Sequence, residues 1–186
     1  MKKILIFLFL FLVGIVTSAY VRPDVYKIDA EKNAFFHNNM ALRYVEEKNY
    51  FAAVQEYKIA ISLNPRAQST AVYYNNLGEI YLKFGSYRYA QDCFERAITQ
   101  YCLNFVYYQN LAKCIKAQKG IDSAIKKYSV TSRNPLNMIM VGLLYVQKGD
   151  IKRGIIKLDE FCMQEPDLII TDAVRNYLKE LVPSVR

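Results

Sequence analysis

A single histidine, His37, and four cysteines, Cys93, Cys102, Cys114 and Cys162, are the first places to look for ligation or nucleophilic chemistry. Their spacing matches no zinc motif, in which ligands come in closely spaced pairs. Cys93 and Cys102 lie about 13 Å apart if one helix carries both, which is beyond the reach of a disulfide. The acids Glu46-Glu47 and Glu160 with Glu165 read as helix-surface or loop residues. Neither a glycine-rich phosphate loop nor a nucleophile elbow is present. The sequence therefore points away from an enzyme, and it calls for no cofactor and no metal. What recurs instead is the carboxamide: Asn38-Asn39, Asn75-Asn76 and Gln109-Asn110. An amide both donates and accepts, so it can hold a peptide backbone without reading side chains.

The elements that must position those amides form a repeat. The clearest copy is AVYYNNLGEIYLKFGSYRYAQDCFERAITQYCLN, Ala71 to Asn104. Tyr74, Leu77, Gly78 and Tyr81 fall on one face of its first helical segment, and Ala90, Phe94 and Ala97 on one face of the second. Gly85-Ser86 supplies the turn between them. This pattern resembles the tetratricopeptide repeat, in which an aromatic residue, Leu-Gly, Tyr, Ala, Phe and Ala stand at these spacings.

Three further copies align on it. The first begins at Ala34 with Met40, Ala41, Tyr44, Ala53, Tyr57, Ala60 and Pro65. The third begins near Phe105 with Tyr108, Leu111, Ala112, Ile115, Ala124 and Tyr128, and the fourth near Pro135 with Val141, Gly142, Tyr145, Gly154, Leu158, Phe161 and Pro166. Turns are expected at Lys48-Asn49, Gly85-Ser86, Lys119-Gly120 and Gly149-Asp150. Small residues leave room for a neighbouring helix and the large ones fill the space between. The third copy is the irregular one: Thr131 and Ser132 stand where the pattern wants Ala and an apolar residue, and an early helix stop is expected there. The four cysteines fall among these helices as small apolar fillers, although Cys93 and Cys114, on successive helices, could conceivably be bridged. The fold expected is all-α: a solenoid of four antiparallel helix hairpins over residues 34–182, with a capping helix over 167–182.

The resemblance implies where binding would occur. In that family the first helices line a concave surface that holds peptides or partner helices. Residues about two positions from the core Gly or Ala lie ~200° round the helix and face it. They are Phe35, Asn38, Asn39 and Leu42; Val72, Asn75, Asn76 and Glu79; Val106, Gln109, Asn110 and Lys113; Leu136, Ile139, Met140 and Leu143. Three repeats offer a polar amide strip and the fourth an apolar one. Asn76 matches one position of the carboxylate clamp of some family members, but Asn38, Leu42 and Val106 depart from it. Asn39, Asn76 and Asn110, each two residues before a core Ala or Gly, resemble instead an asparagine ladder that would meet a bound backbone about every third residue.

The first residues differ in kind. Lys2 and Lys3 precede an apolar run, Ile4 to Val16, and Thr17-Ser18-Ala19 offers a cleavage site. Residues 1–19 are thus expected to be a signal peptide or signal anchor, and 20–33 an irregular lead-in. Both alternatives place the repeats outside the cytoplasm, periplasmic or anchored facing the periplasm. The net charge is +8, and a basic cluster, Lys113, Lys116, Lys126 and Lys127, marks the third repeat as a candidate contact for anionic lipid or an acidic protein. Nucleic acid is not indicated. The reading is a non-enzymatic, exported scaffold that binds a protein or peptide in its groove. The alternative is an envelope assembly or stability factor held at the membrane.

Overall fold

The structure, a computed structural model, describes residues 29–130 and 134–185. The leader and most of the lead-in fall outside them, as do Thr131, Ser132 and Arg133. Helices α1 (Ala30–Glu46), α2 (Tyr50–Leu63), α3 (Thr70–Lys83), α4 (Tyr87–Gln100), α5 (Phe105–Ala117), α6 (Ile121–Val130), α7 (Leu136–Lys148), α8 (Ile151–Gln164) and α9 (Ile169–Leu181) follow one another, and a 3-10 turn spans Val182–Val185. Among the described residues there is no strand.

Each first helix ends in the same way. The amides of Asn49, Ser86, Gly120 and Asp150 donate to the carbonyls of Tyr44, Tyr81, Ile115 and Tyr145 at 2.8–3.1 Å, while the preceding amide closes the shorter inner bond. This is the Schellman pattern, which requires a left-handed residue. Gly85 (φ 69°) and Gly149 (φ 93°) supply it in two turns, and Lys48 (φ 61°) and Lys119 (φ 60°) in the other two. A lysine there costs about 1–2 kcal/mol that glycine does not. The next helix then starts at once: Asn49 and Asp150 cap α2 and α8 through their side chains, and the first helical bonds arise from Ala53, Ala90, Ala124 and Gly154.

Asp29 is the N-cap of α1, accepting from the Lys32 amide at 3.0 Å. The helix therefore already runs through Ala30 to Asn33, residues assigned by sequence to the lead-in. An acidic cap followed by Glu31 in the first turn is the signal that marks this start. At the opposite ends of the helices, the buried hydroxyls of Thr70 and Thr171 donate to the carbonyls of Asn64 and Glu165 at 2.5 Å each, tying down two connections between repeats.

The hairpins α1/α2, α3/α4 and α7/α8 pack along their length, but α5 and α6 barely touch. Helix α6 leans on α7, and α5 packs on α4 and α7. The apolar core divides accordingly. One cluster joins α1 to α4 around Tyr57 and Leu77. A larger one joins α4 to α9 around Phe94, Leu111, Leu144, Leu158 and Phe161.

Candidate functional site

First helices α1, α3 and α5 expose one apolar residue each at matching positions, Phe35, Val72 and Val106, and α1 adds Leu42; they are 41–58 % exposed. These side chains leave apolar surface uncovered among the described residues. Between α1, α2 and α3 lies a recess of about 310 Å3 lined by Leu42, Val45, Tyr57, Asn76, Glu79 and Lys83, among others. Leu42, Asn76 and Glu79 were legible from the repeat register. Val45 and Lys83 were not, although each follows a groove residue by one helical turn, a spacing that places it on the same face.

The amides behave differently from a ladder. Asn38, Asn75 and Asn110 are buried, whereas Asn39, Asn76 and Gln109 are half-buried. Asn110 Nδ2 donates to Asn75 Oδ1 at 2.9 Å and to Glu79 Oε1 at 2.8 Å. Asn75 Nδ2 donates to the same Glu79 oxygen at 2.9 Å, and more distantly to Asn76 Oδ1 at 3.5 Å. The donors of Asn110 are therefore spent on the preceding repeat, and Asn110 cannot be a rung for a bound backbone. Asn75 is likewise a structural link. In the first repeat Asn38 Nδ2 reaches Asn39 Oδ1 at 3.4 Å, and Asn38 Oδ1 has no partner among the described residues. Leu42 stands where repeat 2 has Glu79, so no carboxylate completes the same network there. Glu79 itself is exposed, with one oxygen fixed by two amides and the other open to the recess.

The fourth repeat corrects the sequence reading outright. Ile139 and Leu143 are 0 % and 1 % exposed, and Met140 is also buried. They belong to one cluster with Phe105 of α5 and Ile170, Val174 and Leu178 of α9. The Tyr177 ring of α9 lies 5.4 Å from that of Phe105, centroid to centroid, so α9 and α5 meet over the face where the groove would have continued. Ile139 and Leu143 are core, not groove.

The four lysines of the third repeat do not gather on one helix. Lys113 and Lys116 are exposed on α5, Lys126 and Lys127 on α6, and Lys127 Nζ stands 3.7 Å from Glu95 of α4. His37 Nδ1 is 2.6 Å from Glu56 Oε2, joining α1 to α2, with Phe36 edge-on to the ring. The cysteines are all unbridged. Burial pushes the Cys93 thiol up to about 12 and raises those of Cys114 and Cys162, so none of these three is a ready thiolate. The Cys114 thiol donates to the Tyr87 carbonyl at 3.3 Å. Burial likewise lifts Tyr57 to about 12, with the Asn76 amide acting the other way. Among the described residues no group of three or more His, Cys, Asp or Glu could hold a metal ion, and no helix is long and apolar enough to cross a membrane.

Neither known protein families nor curated proteins give a match to this chain. Solved structures do. A tetratricopeptide repeat protein from Parabacteroides merdae superposes with a TM-score of 0.52 at 15 % identity, over 82 % of this chain and 61 % of that one. MamA superposes with a TM-score of 0.50 at 19 % identity, over 74 % of this chain and 81 % of that one. The fold is that of a tetratricopeptide repeat domain. In tetratricopeptide terms, the first helices of repeats 1 to 3 leave Phe35, Val72 and Val106 exposed, and the first helix of repeat 4 is covered by the C-terminal helix.

Proposed function

We propose that this protein is a non-enzymatic tetratricopeptide scaffold that holds an extended segment of a protein partner against α1, α3 and α5. The single observation that carries this is the row of exposed apolar side chains, Phe35, Val72 and Val106, one per repeat in register beside the recess at Asn76 and Glu79. Stacked helices lie about 8–10 Å apart, so a segment extended as polyproline II, with about 3.1 Å per residue and about three residues per turn, would bring every third side chain to the row. Glu79, with one oxygen held and one open, favours a Lys or Arg side chain within that segment. Asn39 and Asn76 remain as the amides able to meet its backbone. The apolar leader supports export, which places the partner in the cell envelope.

Selection of displayed random peptides on the full chain tests this. Enriched peptides are expected to carry apolar residues three apart and a basic residue among them. The combined change Val72→Glu, Val106→Glu and Leu42→Glu should abolish their binding while melting is unchanged, because all three side chains are exposed. Selected peptides that bind this variant as well as the parent chain would refute the groove.

A further inference from the structure

A second surface adjoins the recess at Lys83 and runs along the edge that carries the turns within each repeat. Contacts from one turn to the next show that this edge is continuous. Phe84 lies edge-on to Tyr50 at 5.3 Å, and Lys83 caps the same Tyr50 ring at 4.1 Å, joining the first two turns. A shallow recess of about 600 Å3 between Gly85, Tyr87, Tyr89, Ala117 and Lys119 joins the second and third. Lys148 Nζ meets Asp122 at 2.6 Å and joins the third and fourth.

The edge combines two features that seldom coincide on a solvated surface. Phe51, Tyr89 and Phe84 are 78 %, 68 % and 59 % exposed within one turn of the bends. Interleaved with them are Lys48, Arg88 and Lys119, exposed and in no ion pair among the described residues. Both lysines occupy left-handed positions that glycine fills in the other two turns, so the tips carry charge where the backbone would prefer glycine. The acids nearest the later turns are already used, Asp122 by Lys148 and Asp150 by Arg153, which leaves Glu46 and Glu47 at the first bend.

We propose that this turn edge docks on an anionic lipid surface. Exposed rings beside Lys and Arg suit the boundary between headgroups and acyl chains, where the ring is desolvated and the cation meets phosphate. The recess on this edge is shallow and wide open, so the edge fits a plane better than a strand. Helix α1 begins at the opposite edge, about 25 Å away, so this docking does not rest on the leader.

The chain contains no tryptophan, so Phe84→Trp in the full chain is a sole reporter on this edge, with Phe51→Trp as a second and Met163→Trp, on α8 and 76 % exposed, as the control. With vesicles of phosphatidylglycerol containing brominated lipid, the edge reporters should lose about half their emission, and Met163→Trp little, at low salt. Phosphatidylcholine vesicles, 1 M salt, or the added changes Lys48→Glu, Arg88→Glu and Lys119→Glu should each restore it. Equal quenching of all three reporters, or quenching that survives charge reversal, overturns the proposal. So does an edge reporter that ignores vesicles and responds to polyglutamate, which assigns the surface to an acidic protein.

Discussion

Repeats 2 and 4 place a glycine at the same point of their first helices and put the opposite side of those helices to different use. A Cβ on Gly78 would lie 2.7 Å from the Phe94 ring; one on Gly142 would lie 2.6 Å from Leu158 and 3.2 Å from the Gly154 carbonyl. Both hairpins therefore close by the same device, tighter in repeat 4, where two glycines bring backbone against backbone. Outside, repeat 2 shows Asn76 and Glu79 to solvent, and repeat 4 buries Ile139, Met140 and Leu143. The difference arises beyond the repeat: α9 turns back to meet α5 through Tyr177 and Phe105. One unit thus becomes groove or core according to whether the next helices close over it.

The comparison breaks most sharply at Ile139. Ile139→Asn places an unpartnered amide in a dry cluster and should cost about 4 kcal/mol in urea unfolding, whereas Asn76→Leu, which removes a partner of the Tyr57 hydroxyl, should cost about 1 kcal/mol. Parity between them would show that the fourth repeat is open in solution. Next come the glycines. At Gly154 a Cβ would sit 2.5 Å from Val146 Cγ2 and 3.0 Å from the Gly142 carbonyl, and a backbone atom cannot rotate aside as a ring can. Gly154→Ala should cost about 2 kcal/mol, and Gly78→Ala about 1 kcal/mol, after the helix-propensity gain of losing glycine. Thermal melts of the two variants give the order.

A smaller effect separates structural from ligand-facing amides. Asn110→Leu strands the buried Asn75 oxygen and should cost about 1–2 kcal/mol, while Gln109→Ala, half-buried and in no side-chain hydrogen bond among the described residues, should be near neutral. A neutral Asn110 variant would restore the ladder that the network at Glu79 rules out. The last effect is invisible at neutral pH. Burial raises Tyr57, in the N-terminal cluster, and Tyr128, beside the C-terminal one, to about 12 from 10. Above pH 10 the unfolded chain ionises these phenols while the folded chain keeps them protonated, so their stability is full below pH 10 and lost as pH rises to 12. Tyr57→Phe and Tyr128→Phe should each flatten that decline in alkaline melts.

The fold class was legible because its evidence is local and repeated. Ala41, Ala53, Ala90 and Ala112 are 0 % exposed, as small residues at close crossings must be, and four turns recur in register. The site was legible only in part. A shift of one residue moves a side chain about 100° round a helix, and Asn110 faces inward at the register where Asn76 and Asn39 are half-buried. Its partner Asn75 is 35 residues away in another repeat, a contact no helical period reveals. The burial of Ile139 and Leu143 depends on the path of α9, which repeat spacing does not encode.

Helix α6 fully buries only Ala124 along its ten residues, with Ile121, Ile125 and Tyr128 partly buried against the core, and it barely touches α5, while α5 itself bridges α4 to α7. In a one-dimensional stack cooperativity passes through neighbouring interfaces, and here the main line of it bypasses one member. Helix α6 can therefore fray as a separate foldon while the helices on either side stay coupled through α5, and its amides should exchange hydrogen far ahead of global unfolding.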